Sequence, residues 1–238
     1  MRLHRFYITE SVGPKREVSI TSSELSHQIR TVFRKKVGDE VVLFDGSGTD
    51  YKCVIDRMTG KNNIVFTVRE SARASYMPTR KIILAAAIVK KDNFELIAEK
   101  ATELGVTDII PVVADRTEKK LVNMERLQKI VIEAGEQSGR GDVPHIHAVT
   151  NLKDSLEGFS SVEELQKIAF HTDGELFDRK DIDADKPVMI FVGPEGGWSP
   201  EEVDVFHKND VLVRCLGNQV LRAETAVVAT LSQLVFTV

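Results

Sequence analysis

The sequence predicts an α/β protein with a small all-β domain at its N-terminus, and two observations carry that prediction. Up to about residue 70, short β-prone runs alternate with turns, which is typical of a small barrel or sandwich. After residue 80, apolar strands alternate with helical patterns, which is typical of a mostly parallel sheet covered on both faces. The stretch Glu70–Pro78 has no period and ends in a proline, so the boundary between the two domains is expected there.

The first domain is predicted from its strands, its turns and one helix. Asp45–Gly48 and Thr59–Asn62 supply the glycines that positive φ requires between hairpin strands. Thr21, with Glu24 three residues later, indicates a capping box that opens a helix over Ser22–Phe33. The predicted strands are Leu3–Ile8, Glu17–Ile20, Glu40–Phe44, Tyr51–Arg57 and Ile64–Val68.

The second domain alternates buried strands with amphipathic helices. Asp92 is expected to cap one helix, with Glu95 at its third position and a stop at Gly105, and a second helix covers Met124–Gln137 with one apolar face. Further helices follow the last two strands. The predicted strands are Ile82–Val89, Ile109–Val113, Ile168–His171, Val188–Val192 and Val211–Cys215.

The charge distribution permits a nucleic-acid partner that the total charge alone would disfavour. The net charge of the 238 residues is −4, whereas phosphate neutralisation needs a basic surface. Basic residues nevertheless crowd the first 36 positions, and acidic residues dominate Glu157–Asp185. A local basic face in the first domain is one interpretation, and an ordinary solvated surface is the other.

The cysteines and apolar runs indicate a reducing, cytoplasmic location. Cys53 and Cys215 are the two cysteines and have no C-x-x-C partner, which argues against zinc and for a reducing compartment. The longest apolar run, Ile82–Val89, is too short to cross a bilayer, and the opening residues lack a secretory pattern.

A glycine-rich segment follows the strand Val188–Val192. It reads Gly193-Pro-Glu-Gly-Gly197, and Ser199–Glu202 then predicts an N-cap, a first-turn proline and a capping glutamate. At the carboxyl end of a parallel strand, glycine lets a ligand approach the backbone. The proline and glutamate would oppose a pyrophosphate, so a ligand with a neutral or cationic centre fits better. A purely structural tight turn is the alternative, although it needs only one glycine.

A second segment repeats this pattern after Val211–Cys215. Leu216-Gly217 leads into a helix that begins near Ala223. Arg222 opposes the dipole at the start of that helix, which indicates a functional task, whereas Glu224 suits the dipole and is equally explained as a cap.

Several motifs, in order along nearly the whole chain, resemble one known family. They are the two segments above together with Met1–Tyr7, His27–Asp39, Asp45–Gly46, Lys100–Val106 and Glu133–Arg140. The resemblance is to the SPOUT superfamily of knotted methyltransferases and, within it, to the RsmE family. Phe33 stands where that family often has leucine, and Trp198 where it often has phenylalanine. Both substitutions keep an apolar, bulky side chain.

The resemblance implies more than the periodicity does. It implies a PUA-like RNA-binding β-barrel over residues 1–72 and a SPOUT α/β methyltransferase domain over residues 73–238. That domain would carry a C-terminal trefoil knot and dimerise through it into a homodimer. The implied reaction is methyl transfer from S-adenosylmethionine to N3 of a uridine in the 16S rRNA of the small ribosomal subunit. Without the resemblance, an ordinary doubly wound sheet would be expected, because knots are nearly absent from folds.

The resemblance also implies a cofactor pocket built from three loops. The residues expected to bind the cofactor are His171, Thr172, Val192, Gly193, Pro194, Glu195, Gly196, Gly197, Leu216, Gly217, Val220, Leu221, Arg222, Ala223, Thr225 and Ala226. Uracil N3 must be presented unpaired and deprotonated, and a nearby cation would favour its anion. Arg222 and Arg140 are the candidate cations, although Arg140 could equally satisfy the carbonyls of a helix end. The proton acceptor is left open among Glu195, Glu224 and hydroxide.

RNA contact is expected from basic residues of both domains, and no metal is expected. His145 and His147 would share one face of a strand, but no cysteine or carboxylate lies nearby at metal spacing. The expected RNA-binding residues are Arg2, His4, Arg5, Arg30 and Arg34 in the first domain, with Lys90 and Lys91 beside the pocket.

Two other classes of protein are compatible with parts of the pattern. A nucleotide-dependent, Rossmann-like oxidoreductase would need a phosphate-binding glycine loop after Ile82–Val89, where Lys90-Lys-Asp-Asn stands instead. A non-catalytic RNA-binding module for ribosome assembly would have glycine turns without a ligand. Equilibrium binding of S-adenosylmethionine separates such a module from an enzyme.

Overall fold

The computed structural model describes residues 3–118 and 120–235, and the chain divides into two compact units. The N-terminal unit comprises residues 1–77 together with residues 135–143. The C-terminal unit comprises residues 78–134 and 144–238. A short segment from the second half of the chain therefore belongs to the first unit.

The N-terminal unit contains one mostly antiparallel sheet. Its strands are β1 (Arg5–Tyr7), β2 (Glu17–Thr21), β3 (Glu40–Phe44), β4 (Thr49–Thr59) and β5 (Asn63–Arg73). They are ordered β1-β3-β4-β5-β2, with β1 parallel to β3 and the other neighbours antiparallel. All five predicted strands are confirmed.

The stretch Glu70–Pro78, where the boundary is expected, begins inside a strand, and the division between the two units falls after Met77. Residues 70–73 pair with residues 49–52 of β4, which extends β5 to Arg73. The residues in this part of β5 are exposed, and pairing rather than apolar periodicity holds them in the sheet.

The predicted helix of the N-terminal unit begins one residue later than its expected capping box. Thr21 is still part of β2, where it pairs with Asn63, so it cannot act as the cap. Ser22 caps α1 (Ser23–His27) instead, and its hydroxyl accepts a hydrogen bond from Leu25 N at 3.2 Å. The helix continues as a π-helical turn over Gln28–Val32.

The C-terminal unit is built on a parallel sheet, which confirms the predicted α/β domain. Its strands are β6 (Ile82–Ala87), β7 (Asp108–Val113), β8 (His145–Ile146), β9 (Thr150–Asn151), β10 (Gln166–Leu176), β11 (Val188–Val192) and β12 (Leu212–Cys215). The order is β12-β10-β11-β6-β7-β8, and β9 also pairs with β7. Every residue of β6 and β11 is buried, which explains their unbroken apolar sequences.

The helices of this unit follow its parallel strands. They are α2 (Lys91–Glu103), α3 (Met124–Ser138), α4 (Leu152–Glu157), α5 (Pro200–Lys208) and α6 (Ala223–Val235), and the last four residues of α3 belong to the N-terminal unit. The predicted N-cap of α2 at Asp92 is wrong, because Lys90 occupies the N-cap position and Asp92 lies in the first turn. Helix α2 packs against α6. Within the described residues, no helix combines the length and the apolarity needed to cross a membrane.

Candidate active site

A pocket of about 910 Å³ opens at the carboxyl ends of β10, β11 and β12. Its volume lies within the range of small-molecule sites. These three strands are neighbours in the sheet, so the loops that follow them converge at one edge. The two glycine segments singled out in the sequence both line this pocket.

The loop from β11 to α5 has the expected strand, glycine turn and helix arrangement. A Cβ atom on Gly193 would lie 3.2 Å from the Trp198 indole, which is 1% exposed. Gly197 has φ +68°, which favours glycine. Ser199 and Glu202 form the predicted capping box of α5 through hydrogen bonds of 3.2 and 2.8 Å.

The end of β10 forms a second wall of the pocket. Gly174 lies so close to β12 that a Cβ atom there would be 2.6 Å from the carbonyl carbon of Arg214. His171 Nε2 is 3.6 Å from Asp173 Oδ2, and its ring lies 3.6 Å from the position of a Cβ atom on Gly197. Close strand approach at Gly174 therefore brings the β10 and β12 loops together.

The third wall is formed by β12 and the loop after it, and Arg214 within β12 is held by acidic neighbours. Its Nε and Nη2 atoms donate to the two oxygens of Asp181 at 2.7 and 3.2 Å, and Nη1 is 3.4 Å from Glu175. The hydrogen bond raises the pKa of Arg214 and lowers the pKa of the Asp181 carboxyl. Leu216 and Gly217, whose φ is +147°, then lead toward α6.

Most of the residues expected to bind a cofactor line this one pocket. Arg222 and Thr225 are exposed near the start of α6 and are not among its lining residues. The predicted residues that line it are His171, Thr172, Val192, Gly193, Pro194, Glu195, Gly196, Gly197, Leu216, Gly217, Val220, Leu221, Ala223 and Ala226. Their binding to a cofactor stays a prediction.

The candidate catalytic residues lie in different surroundings. Glu195 is exposed at the pocket wall. Arg140 belongs to the N-terminal unit, is fully buried, and donates from Nε and Nη2 to Asp142 at 3.0 and 2.8 Å. Its fork-like ion pair is the kind that fixes local structure. Glu224 has one buried carboxylate oxygen with no hydrogen-bond partner among the described residues.

The RNA-binding candidates also divide between surface and interior. Arg5 is 8% exposed and donates to Gly135 O, Arg140 O and Asp50, so its charge is used inside the N-terminal unit rather than presented to RNA. His4 and Arg30 are half-buried, whereas Arg34 and Lys90 are exposed. Arg2 and the side chain of Lys91 lie outside the described residues.

Arg116 is a pocket residue that sequence reasoning missed. It follows β7 and donates from Nη1 to Gly196 O at 2.6 Å. The rule that strand carboxyl ends share one edge would have included the residues after the predicted strand Ile109–Val113. Among the described residues, no cluster of three or more potential metal ligands occurs, and His147 instead bonds Asp108 at 2.9 Å.

Comparisons with known proteins assign relatives to both parts of the chain. A family model described as an RNA methyltransferase domain matches residues 76–235, and one described as an RNA methyltransferase PUA domain matches residues 21–69. The ribosomal RNA small subunit methyltransferase E of Rickettsia conorii is 32% identical over 235 residues, covering 98% of this chain and 95% of that protein.

Solved structures give the same result. The ribosomal RNA small subunit methyltransferase E of Neisseria gonorrhoeae, bound to S-adenosylmethionine, superposes with a TM-score of 0.87 at 26% identity, over 97% of this chain and 96% of that one. A methyltransferase from Legionella pneumophila, in complex with the same cofactor, has a TM-score of 0.87 at 28% identity, with 98% and 97% coverage.

Proposed function

This chain belongs to the ribosomal RNA small subunit methyltransferase E family, and from that membership we propose that it methylates N3 of a uridine in 16S rRNA with S-adenosylmethionine as the methyl donor. The observation that carries the proposal is the glycine-lined pocket at the ends of β10, β11 and β12. The oxidoreductase and the non-catalytic module have no support from the relatives, whose names denote methyltransferases.

The pocket suits a ligand that is recognised by backbone groups. Gly193 and Gly197 bring no side chain to the pocket wall, and a Cβ atom on Gly193 would press on the Trp198 indole. Arg214, at the β12 wall, is paired with Asp181. A sulfonium cofactor is itself a cation, so its reacting centre needs no positively charged side chain. The residues that would hold the cofactor are Val192, Gly193, Leu216, Gly217 and Ala223. When bound, it supplies the electrophilic methyl group.

The chain's own residues must present the nucleophile and favour its anion. N3 of uracil loses its proton to a base, and its electron pair forms the bond to the methyl carbon as the carbon–sulfur bond breaks. S-adenosylhomocysteine is then released. Arg222 stays the proposed cation, whereas the buried ion pair of Arg140 supports a structural role. The candidate proton acceptors are Glu195, exposed at the pocket wall, Glu224, with its unpartnered oxygen, and hydroxide.

The finer features of the family are part of the same proposal. We propose a PUA-like barrel that binds RNA over residues 1–72, a SPOUT domain with a C-terminal trefoil knot over residues 73–238, and a cytoplasmic homodimer. The match of a PUA model to residues 21–69 supports the first, and the placement of β10 between β11 and β12 accords with the second. Exposed apolar side chains support a dimer interface; they are Leu176, Val220 and Val228.

The direct test is methyl transfer from S-adenosylmethionine to small ribosomal subunits and to free 16S rRNA, followed by mapping of the modified nucleoside. We expect one N3-methyluridine. Cofactor binding without methyl transfer to either substrate would instead favour the non-catalytic module.

A further inference from the structure

Arg116 places a guanidinium at the wall of the pocket. Its Nη1 atom donates to Gly196 O at 2.6 Å, and its aliphatic stem lies over Gly196. A Cβ atom on Gly196 would come within 3.3 Å of Arg116 Cβ and Cδ. Glycine at this position therefore leaves room for the arginine stem against the backbone of the glycine turn.

The turn that carries Arg116 is fixed on both sides by hydrogen bonds. Thr117 N donates to Ala114 O at 3.0 Å, and Ala114 N donates to Thr117 Oγ1 at 3.0 Å. Asp115 is bound to the N-terminus of α5, because Asp115 N donates to Glu202 Oε1 at 3.0 Å and Ser199 Oγ donates to Asp115 Oδ2 at 2.5 Å. Ser199 and Glu202 are themselves buried.

The result is an exposed arginine on a rigid base. Ser199 and Glu202, which cap α5, also bond the side chain and the backbone N of Asp115, the residue before Arg116. Arg116 is therefore held through its neighbour in the chain and, at its guanidinium, by Gly196 O. Positioning of this kind is required of a group that acts on a developing charge, because a preorganised donor does not reorganise during the reaction.

The second arginine of the pocket wall is differently occupied. Arg214 directs its guanidinium to Asp181 and Glu175, which neutralise it. Arg116, in contrast, meets Gly196 O as its one hydrogen-bond acceptor among residues 3–118 and 120–235. A guanidinium has five N–H donors, so most of them stay available to a ligand.

We propose that Arg116 is a catalytic residue that donates hydrogen bonds to a carbonyl oxygen of the target uracil and stabilises the N3 anion. This inference rests on the proposed function, and it adds a residue that the family resemblance did not supply. Negative charge released at N3 spreads onto O2 and O4, which flank N3 on the ring. A guanidinium on one of these oxygens favours the deprotonated base at neutral pH.

The test compares Arg116→Gln, Arg116→Lys and the wild type in methyl transfer to small subunits. Arg116→Gln keeps a polar side chain but loses the charge and the guanidinium donors. We expect its kcat to fall about 100-fold, as for loss of one oxyanion donor, while the Kd of S-adenosylmethionine stays within about threefold. The acid limb of its pH–rate profile moves to higher pH, because the anion loses its stabilisation. Arg116→Lys restores part of kcat and part of that pH shift.

Arg126→Gln is the matched control. Arg126 is an exposed arginine of α3 whose ion pair with Glu95, at 3.4 Å, contributes little. We expect wild-type kinetics from it. The melting temperature of each variant is measured in parallel, so that a folding defect is recognised. If Arg116→Gln fails to fold, Arg116→Lys is compared with the wild type instead.

Two results would overturn the assignment of Arg116. A higher Kd for the cofactor with kcat preserved would show that Arg116 only stabilises the conformation of the glycine turn. A raised KM for RNA with an unchanged pH profile and a shallower salt dependence would make it a phosphate contact. Failure of the proposed function is distinguishable from both, because the wild type itself would then transfer no methyl group.

Discussion

At the scale of single residues, Gly193 shows why the pocket depends on the absence of a side chain. The Trp198 indole that a Cβ atom would meet is buried and packs edge-on against Phe206, with 5.1 Å between the ring centroids, so it has little room to move. We expect Gly193→Ala to destabilise the fold by about 1–3 kcal/mol and to weaken S-adenosylmethionine binding at least tenfold. Isothermal calorimetry and urea unfolding measure the two effects.

Gly135→Ala is the control for that substitution. Gly135 lies in α3, and a Cβ atom there would have only ordinary contacts, the nearest at 3.5 Å. Alanine in a helix interior stabilises by about 0.5–1 kcal/mol relative to glycine, so this variant should keep its cofactor affinity. Equal loss of affinity in both variants would contradict the proposed tight fit at Gly193.

The ion pair between Arg214 and Asp181 predicts a pH dependence of stability. The pKa of the Asp181 carboxyl is lowered from 3.8 by its hydrogen bond with Arg214. The ionised carboxylate is therefore more stable in the folded state than in the unfolded state, and its ionisation stabilises the fold. The stabilisation is present above pH 3.8 and is lost as the pH falls through the lower, folded-state pKa.

The measurement is the free energy of unfolding of wild type and Asp181→Asn between about pH 7 and pH 2. We expect the variant to be less stable by about 1 kcal/mol near neutrality, as for a partly exposed ion pair, and the difference to disappear in acid. A difference that is constant across this range would show that the pair does not titrate as described.

At the scale of elements, the N-terminus of α5 has two roles. Ser199 caps the helix, and its hydroxyl also donates to Asp115 in the turn that carries Arg116. We expect Ser199→Ala to cost about 1 kcal/mol of stability, which is typical of a lost N-cap, and also to lower kcat by loosening Arg116. Ser22→Ala removes the cap of α1 in the other unit and should lower stability without lowering kcat. Unchanged kcat in Ser199→Ala would separate the cap from the chemistry.

The same elements show how far the sequence could predict the site. Glycines, a capping serine and unbroken apolar strands are local signals, so the turn after β11 and the start of α5 were both predicted correctly. Arg116 and Asp115 reach this site through the order β11-β6-β7 in the sheet, and no local pattern specifies which parallel strands are neighbours. Strand β9 and helix α4 are only two and six residues long, too short to show a period.

At the scale of the whole molecule, catalysis and assembly are expected to depend on different residues. Arg222 is exposed near the start of α6, and its side chain has no part in the buried core. We expect Arg222→Ala to lose at least 90% of methylation while it keeps the fold and the association state of the wild type, because truncation of an exposed side chain changes stability by only about 0.5 kcal/mol. Activity assays and light scattering check this, and unchanged turnover on small subunits would refute the role of Arg222.

Long-range contacts also explain what the sequence could not predict about the N-terminal unit. Arg5 was expected at an RNA surface because basic residues surround it in sequence. The structure buries it, since Gly135 O, Arg140 O and Asp50 accept its hydrogen bonds and the Phe44 ring lies 4.4 Å away. Its partners Gly135 and Arg140 are about 130 positions away, beyond the range of any pattern in the N-terminal sequence.

Residues 135–143 determine where this protein can be divided into domains, and which segments can be exchanged with those of its relatives. A Cβ atom on Gly141 would lie 2.5 Å from Ala74 Cβ and 2.9 Å from Gly48 Cα. The backbone of this segment therefore packs directly against residues 48 and 74, with no room for a side chain at Gly141. The N-terminal unit is therefore not a continuous stretch of gene. A chimera that exchanged residues 1–77 alone would pack the first segment of one protein against residues 135–143 of another. Both segments must therefore be exchanged together to preserve their packing.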